Sequence, residues 1–491
     1  MQQQEFQLRN GESFEVSAVP VLNENEFHRK IIAGCAQDAR LINLFACPHQ
    51  GENFKIFAML GQDQQGEIAV FSMIVSGENL VYQSLTPDLP QAHLFEREIA
   101  EQFGITPKGH PWLKPLRSHP PQGYPFFRLD GHEVHEVAVG PVHAGIIEPG
   151  HFRFQCHGEK ILNLEIQLGY QHRGIEKMMP EIALEKAVLV AESIAGDTVI
   201  GHGTAYCNII ESLSDTQISP RAEAIRAIAL ELERLSNHTG DLGALSTDIG
   251  FLPAAAYYGR LRGEFLNLLM ELSGNRYGRS LCWPGGVLFD LDEQMIEDFK
   301  KRLLMAQKDL KEISELFFYR SSVLSRLEET GIVSADTAKT LGFVGPTARA
   351  SGCGQDVRTD YAFGMYRYYN IPISTISTGD VYARAMIRWV ESQRSIEFLL
   401  DILNQIPRGD LCVEIQGLKQ NCIAVAMTEG WRGEIMHVAT TDSNSRITHY
   451  KIKDPSFHNW KALEMAVRGA QISNFPLCNK SFNLSYAGHD L

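Results

Sequence analysis

Between Gly140 and Cys207 the chain concentrates side chains that can hold and move protons. Five histidines (His143, His151, His157, His172, His202) and two arginines (Arg153, Arg173) stand there among glycines and prolines, with Glu148 and Glu176 among the glutamates. Imidazoles and carboxylates can be tuned to neutral pH by burial and neighbours. Glu148, His172, Glu176 and His202 are therefore candidate proton carriers. In HRGIEK, His172 and Glu176 stand four apart, on one face if the segment is helical. For that pair a salt-bridge or capping role competes with a proton-carrying one, and for each histidine a satisfied structural role does.

Nine cysteines (35, 47, 156, 207, 282, 353, 412, 422 and 478) are scattered, and no two form a C-x-x-C. That spacing argues against a disulfide framework and against a locally built zinc or iron–sulfur site, and it fits a reducing, cytoplasmic location. The net charge is −14 with no basic run, so phosphate-driven binding of nucleic acid is not expected. No apolar run approaches the ~18–20 residues that span a bilayer. MQQQEFQLRN lacks the basic and apolar regions of a secretory signal. Membrane association would come through partner subunits.

The elements that must position these groups fall into two parts. At 491 residues the chain has room for two to four domains. In the first part, Lys55–Leu60 and Glu67–Val75 read as neighbouring strands, and Phe27–Cys35 and Leu94–Phe103 as helices, giving a small α+β domain over 1–117. Four prolines in 118–130 (SHPPQGYPFFRLD) mark a linker. The remainder, 131–491, reads as a mainly helical domain with small β appendages, so the chain as a whole is α+β. Ser219-Pro220 is a helix start, with serine as cap and proline at the first position. From Ile296 to Leu327 apolar residues recur every three or four positions, predicting one amphipathic helix of roughly 50 Å at ~1.5 Å per residue. A third helix follows Gly379-Asp380, with Met386, Trp389, Gln393, Ile396, Leu400 and Leu403 on one face.

Several segments carry a family resemblance. GPVHAGIIEPGHFRF and LGYQHRGIEK resemble the large subunit of energy-converting nickel–iron hydrogenases (the formate hydrogenlyase and hydrogenase-4 type) and the homologous D-type component of respiratory complex I. LFEREIAEQFGITPKGHPWLKPLR resembles the C-type component of complex I, with Glu96, Arg97, Glu98, Phe103, Gly104, Ile105, Gly109, His110 and Pro111 matching its signature, a structural and docking element. The tail after Asp454-Pro455, GPTARASG (Gly345–Gly352) and GDVYAR (Gly379–Arg384) are similar to the D-type component. The resemblance implies a fusion of the two. A C-like domain of complex I covers 1–117, and a D-like domain, similar also to the hydrogenase large subunit, covers 131–491.

In the hydrogenases, two C-x-x-C motifs hold nickel and iron with four thiolates, soft ligands suited to those metals. Here the frames remain and the cysteines do not. The early frame, Glu192–Thr198, has Ala195 and Thr198 in the cysteine slots; the late one, Asp454–Asn459, has Ser456 and Asn459. Alanine cannot ligate, and hydroxyls and amides are poor ligands for a soft metal, so a nickel–iron centre is not expected. Arg432 matches the arginine that overhangs the metal in hydrogenases, and Arg349 an arginine of complex I. In the complex I quinone loop only His143 matches cleanly, with His151 at a shifted spacing, and the tyrosine slot falls on Gly196. His143, His151 and Arg349 are thus candidates for binding a quinone or another acceptor.

The same resemblance implies a peripheral-arm subunit on the cytoplasmic face of the membrane. It would sit beside an iron–sulfur small subunit and above antiporter-like membrane subunits. Its function would be electron transfer of the NADH/quinone type coupled to proton or sodium translocation, with Glu148, His172, Glu176, His202 and Arg432 at the reacting centre. No cofactor bound by this chain itself is expected, and any use of NADH belongs to other subunits. The alternative is a catalytically silent scaffold.

Overall fold

The structure, a computed structural model, describes residues 6–77, 80–143, 145 and 147–491. Residues 1–5 of the stretch read for a secretory signal lie outside the described residues, as do Ala144 and Ile146 of the histidine-rich loop.

The first sheet is built from nine-residue strands with almost unbroken apolar interiors. Arg40–Pro48, Phe54–Gln62 and Glu67–Val75 pair antiparallel, extended by Gln7–Arg9 and Val21–Leu22. Continuous apolar runs are what a sheet covered on both faces requires. Alternate residues enter two different cores. Leu41, Leu44, Ile56, Ala58 and Phe71 pack with the helices Glu24–Ala36 and His93–Phe103. Ile42, Phe45, Phe57, Met59 and Val70 join the large core shared with the rest of the chain.

The E-R-E segment works as a three-way clamp. The Glu96 carboxylate accepts hydrogen bonds from Ser84, Leu85 and Thr86. Arg97 donates to the carbonyl of Lys114. Glu98 pairs with Arg117 at 2.6 Å and with Lys451 at 2.6 Å. Lys451 lies on a strand of the second part and also pairs with Glu176 at 2.8 Å. Residues 118–130 contain no helix or strand.

In the second part, helices Val199–Leu213, Pro220–Asp248, Leu252–Ser273, Glu293–Phe318 and Val381–Asn404 pack around a four-stranded sheet. Ser219 caps its helix, accepting from the Ala222 amide. The α+β class holds, with a small first domain and a mainly helical second part. The larger sheet is interior, however: every residue of Cys422–Gly430 and Gly433–Thr441 is buried. Its outer edge is closed by Ser13–Glu15 from the start of the chain, with Phe14 opposite Ile423. A smaller sheet, Val134–Val139, His151–His157 and Lys160–Gln167, carries the loop that holds His143 and Glu148.

Two expectations need correction. The helix predicted from Ile296 to Leu327 is two helices, Glu293–Phe318 and Ser321–Leu327, because Arg320 takes an extended conformation (φ −85°, ψ 120°). The apolar stripe continues because both pieces pack on one core. On Val381–Asn404, only Ile396 and Leu403 of the predicted face are fully buried. The deeply buried face also carries Arg384, Arg388, Glu391, Ser392 and Ser395, whose polarity is matched by partners rather than by solvent.

Breaking a buried ion pair on one side strands a charge, at a cost of ~3–5 kcal/mol. Lys451→Met leaves Glu176 with its single hydrogen-bonded cation gone and Glu98 with only Arg117. Denaturant unfolding should show a loss of about 3 kcal/mol, and no loss would mean that this link between the two parts is idle.

Candidate functional site

The early and late frames converge where the hairpin turn at Trp431-Arg432 meets the start of the Val199–Leu213 helix. Gly430 pairs with Gly433 across that turn. The turn is pressed onto Gly345, where a Cβ would lie 2.2 Å from the Arg432 carbonyl oxygen, so only glycine fits (φ +65°). The packing fixes Arg432, whose guanidinium makes a bidentate pair with Asp197 (2.6 and 2.8 Å) and reaches Thr198 Oγ1 at 3.3 Å. Its Nε donates to the Asn483 carbonyl at 2.6 Å. Asp197 is further pinned through its own carbonyl by Trp431 Nε1 and Asn237.

The four cysteine slots are buried. Thr198 lies against Arg432, Ser456 Oγ accepts from the Ser485 amide at 3.0 Å, and the Asn459 amide makes two bonds to the Val344 backbone. Ala195 offers no donor atom. With oxygen and amide atoms already spent and a guanidinium among them, these residues do not fit a thiolate-held nickel–iron centre. Among the described residues, no group of three or more His, Cys, Asp or Glu is arranged to hold a metal ion.

Carboxylates surround this ion pair. Burial pushes Glu148 upward, opposed by Arg432. Glu233, fully buried, accepts from the Ile200 and Gly201 amides (2.7 and 3.2 Å) and so caps the Val199–Leu213 helix from a neighbouring helix. Burial still raises it to about 8, with Asp197 adding to the rise. Glu192, in the early frame, accepts from the Ser280 amide at 2.7 Å while its other oxygen has no partner among the described residues, and burial raises it to about 7. On the other side of the helix a buried line of hydrogen bonds runs from Asp454 Oδ2 to His202 Nε2 (3.0 Å), from His202 Nδ1 to His437 Nε2 (3.1 Å) and from His437 Nδ1 to Tyr450 Oη (2.9 Å).

Of the residues singled out in the sequence, the structure gathers Glu148, His202 and Arg432 about this centre, with Asp454 between the last two. It does not gather the others there. His172 and Glu176 do not share a helix face, because the helix begins only at Ile175, after Gly174 in a left-handed conformation. His172 is exposed, with Nδ1 on the Asp490 carbonyl at 2.7 Å. Glu176 is bound to Lys451, and although burial alone would raise it, Lys451 and Arg117 bring it down to about 2. It stays ionised at neutral pH. Arg349 is fully buried between Glu391 and Glu429, each at 2.8 Å. His143 and His151 sit on the loop of the smaller sheet. There His143 Nε2 faces the Gly150 carbonyl at 2.8 Å and His151 Nδ1 the Gly140 carbonyl at 3.4 Å.

Sequence reasoning missed Asp197, Glu192, Glu233, His437, Tyr450 and Asp454. The frames themselves contained Glu192, Asp197 and Asp454, and their acidity was the available signal. Glu233 lies within the helix that starts at Ser219-Pro220 and has no motif of its own. His437 and Tyr450 sit in strands that read as ordinary core.

A buried sheet threaded by long helices, with two convergent frames at one helix start, defines the class of large subunits shared by hydrogenases and complex I. Residues 248–421 match the respiratory-chain NADH dehydrogenase 49 kDa subunit family, and residues 17–128 match the corresponding 30 kDa subunit family. The chain is 30% identical over 351 residues to the carbon monoxide-induced hydrogenase of Rhodospirillum rubrum, spanning 71% of this chain and 97% of that protein. It is 28% identical over 450 residues to hydrogenase-4 component G of Escherichia coli K12, spanning 86% of this chain and 78% of that protein. The fold matches a chain of an archaeal respiratory membrane complex, the membrane-bound sulfane sulfur reductase, with a TM-score of 0.69 at 22% identity, over 74% of this chain and 100% of that one. The chain belongs to the 49 kDa subunit family of complex I and the related hydrogenase large subunits, with a 30 kDa-type region fused ahead.

Glu233 gives the site a pH signature. Its folded value, about 8, lies above the ordinary carboxylate value of 4.5, so its contribution to stability is complete below pH 4.5 and is lost as the pH rises through 8. Wild-type protein should lose stability across that window and Glu233→Gln should lose less. Equal slopes in denaturant titrations at several pH values would remove Glu233 from the account.

Proposed function

We propose that this chain is the large peripheral subunit of a membrane-bound, complex I-like and hydrogenase-related oxidoreductase. It takes part in electron transfer coupled to proton or sodium translocation and carries no nickel–iron centre. The observation that supports this reading is the Asp197–Arg432 pair seated on Thr198, with Ser456 and Asn459 bonded elsewhere. A fixed internal cation stands among the carboxylates at the convergence of the frames. Electrons would come from an iron–sulfur cluster in a small partner subunit, and antiporter-like partners would supply the membrane path. The acceptor is a quinone or another small molecule approaching past Gly196, which is exposed and whose Cβ direction is open. His143 and His151 would line that approach. No helix among the described residues is long and apolar enough to cross a membrane. That fits a peripheral position, which we place on the cytoplasmic face. We also read 1–117 and 131–491 as two units joined by 118–130.

The second reading is a silent scaffold. It is favoured by the engagement of Glu176 and Arg349 in buried ion pairs, which gives both a structural role.

Two measurements test these readings. Metal analysis of the purified complex should give iron without stoichiometric nickel, and no hydrogen uptake; stoichiometric nickel would overturn the nickel-free assignment. In assembled complex, Glu148→Gln with His202→Gln should slow coupled ion transport by about 10²-fold, as loss of acid–base groups does. Unchanged transport and electron flow would leave the scaffold reading standing.

A further inference from the structure

With His202 neutral, the line from Asp454 to Tyr450 has only one arrangement of hydrogens that satisfies every atom. Ionised Asp454 can only accept: Oδ1 takes the Ser456 amide at 2.7 Å, and Oδ2 faces His202 Nε2, which must therefore carry hydrogen. A neutral His202 then presents Nδ1 as an acceptor, so His437 Nε2 is the donor at 3.1 Å. That leaves His437 Nδ1 as an acceptor for the Tyr450 hydroxyl at 2.9 Å. All three bonds point toward Asp454. The tautomers follow from the partners, not from visible hydrogens.

The surroundings hold this state. None of the four side chains is more than 1% exposed. Burial pushes His437 well below the usual imidazole range, keeping it neutral. Burial raises the Tyr450 hydroxyl well above its usual range, so it remains a phenol. Asp454 is held down by His202 and Arg432 against the effect of burial. The groups facing the line are Arg432 from the hairpin turn, the Ser456 amide from the late frame, and Tyr206 and Cys207 from the Val199–Leu213 helix. Tyr206 packs against Tyr450 with ring centroids 6.2 Å apart while its hydroxyl donates to the Leu184 carbonyl.

We infer that His437 and Tyr450 are positioning residues that lock His202 in the Nε2–H tautomer and so gate its uptake of a proton. Nδ1 of His202 faces an N–H and has no room for a second hydrogen. It can accept a proton only when His437 moves its own hydrogen from Nε2 to Nδ1 and the Tyr450 hydroxyl turns to receive it. One proton is gained, no electron moves, and the product is a His202 imidazolium paired with the Asp454 carboxylate. The inference rests on the acid–base reading of this centre, and it adds that His202 responds to the state of the sheet behind it.

The test is nitrogen-15 NMR of the histidine-labelled, purified complex, followed across pH. Wild type should show His202 and His437 each as a single Nε2–H tautomer. Tyr450→Phe, which keeps the packing, should turn His437 into a mixture of tautomers. His437→Gln, whose amide can present a carbonyl to Nδ1, should raise the proton affinity of His202 about tenfold, the worth of one hydrogen bond. A single unchanged His437 tautomer in Tyr450→Phe, or an unmoved His202 titration in His437→Gln, would overturn the gate. Ion transport by His202→Gln is a separate readout. If it persists while the NMR changes appear, the gate exists and the acid–base reading is at fault.

Discussion

Charges buried beyond the reach of water must find partners within the protein, and that requirement organises the second half of this chain. Arg349 joins Glu391 on one helix to Glu429 on the inner strand. Arg358 joins Asp356 to Glu231, and Glu231 also takes Arg234, Tyr366 and Ser395. His238 returns to Glu391 at 2.9 Å. The result is a closed lattice linking the Pro220–Asp248 and Val381–Asn404 helices to the sheet. Such a lattice contributes less to net stability than apolar packing would, because each ion gives up its hydration. Its effect here is geometric. The helices cannot slide without stranding a charge, so the start of the Val199–Leu213 helix and the Arg432 turn are held in fixed relation.

The same logic explains the centre. Asp197, Asp454, Asp241 and Glu148 all lie within the field of Arg432. The Arg432 guanidinium supplies a positive charge there from within the chain. A guanidinium is planar and permanently charged, which lets one residue hold Asp197 at both oxygens and still bond the Asn483 carbonyl. Glu233 and Glu192 are left with little cationic support, and burial then keeps them near the point where they can change protonation.

Much of the fold was legible in the sequence, because apolar spacing reports burial directly. The hairpin of Phe54–Gln62 and Glu67–Val75, the capped helix at Ser219 and the helix beginning at Val381 were all foreseen. The break at Arg320 was not, since the stripe passes through it in phase. The face of Val381–Asn404 was misjudged for a related reason: apolarity marks the wet boundary only when buried charges are few. In the centre, the frames pointed to Ala195, Thr198, Ser456 and Asn459. The partners of His202 could not be read, because His437 and Tyr450 are brought to it by sheet register, with Thr440 opposite His449 and His437 opposite Ile452. Glu176 looked catalytic by motif and is bound to Lys451, a partner 275 residues away.

The edge strand Ser13–Glu15 has a consequence for biosynthesis. It pairs with Cys422–Ala424, about 400 residues later in the chain. At roughly 5–20 residues per second, ribosomes need roughly 20–80 s to make the partner after the edge strand has emerged. Through that interval the buried inner sheet does not exist, and the apolar strands Arg40–Pro48 and Phe54–Gln62 have only one of their two cores to cover them. The nascent chain therefore presents an uncovered apolar sheet face until the last fifth of the protein is made. Chaperone dependence during synthesis, rather than marginal stability afterwards, is the vulnerability this topology creates.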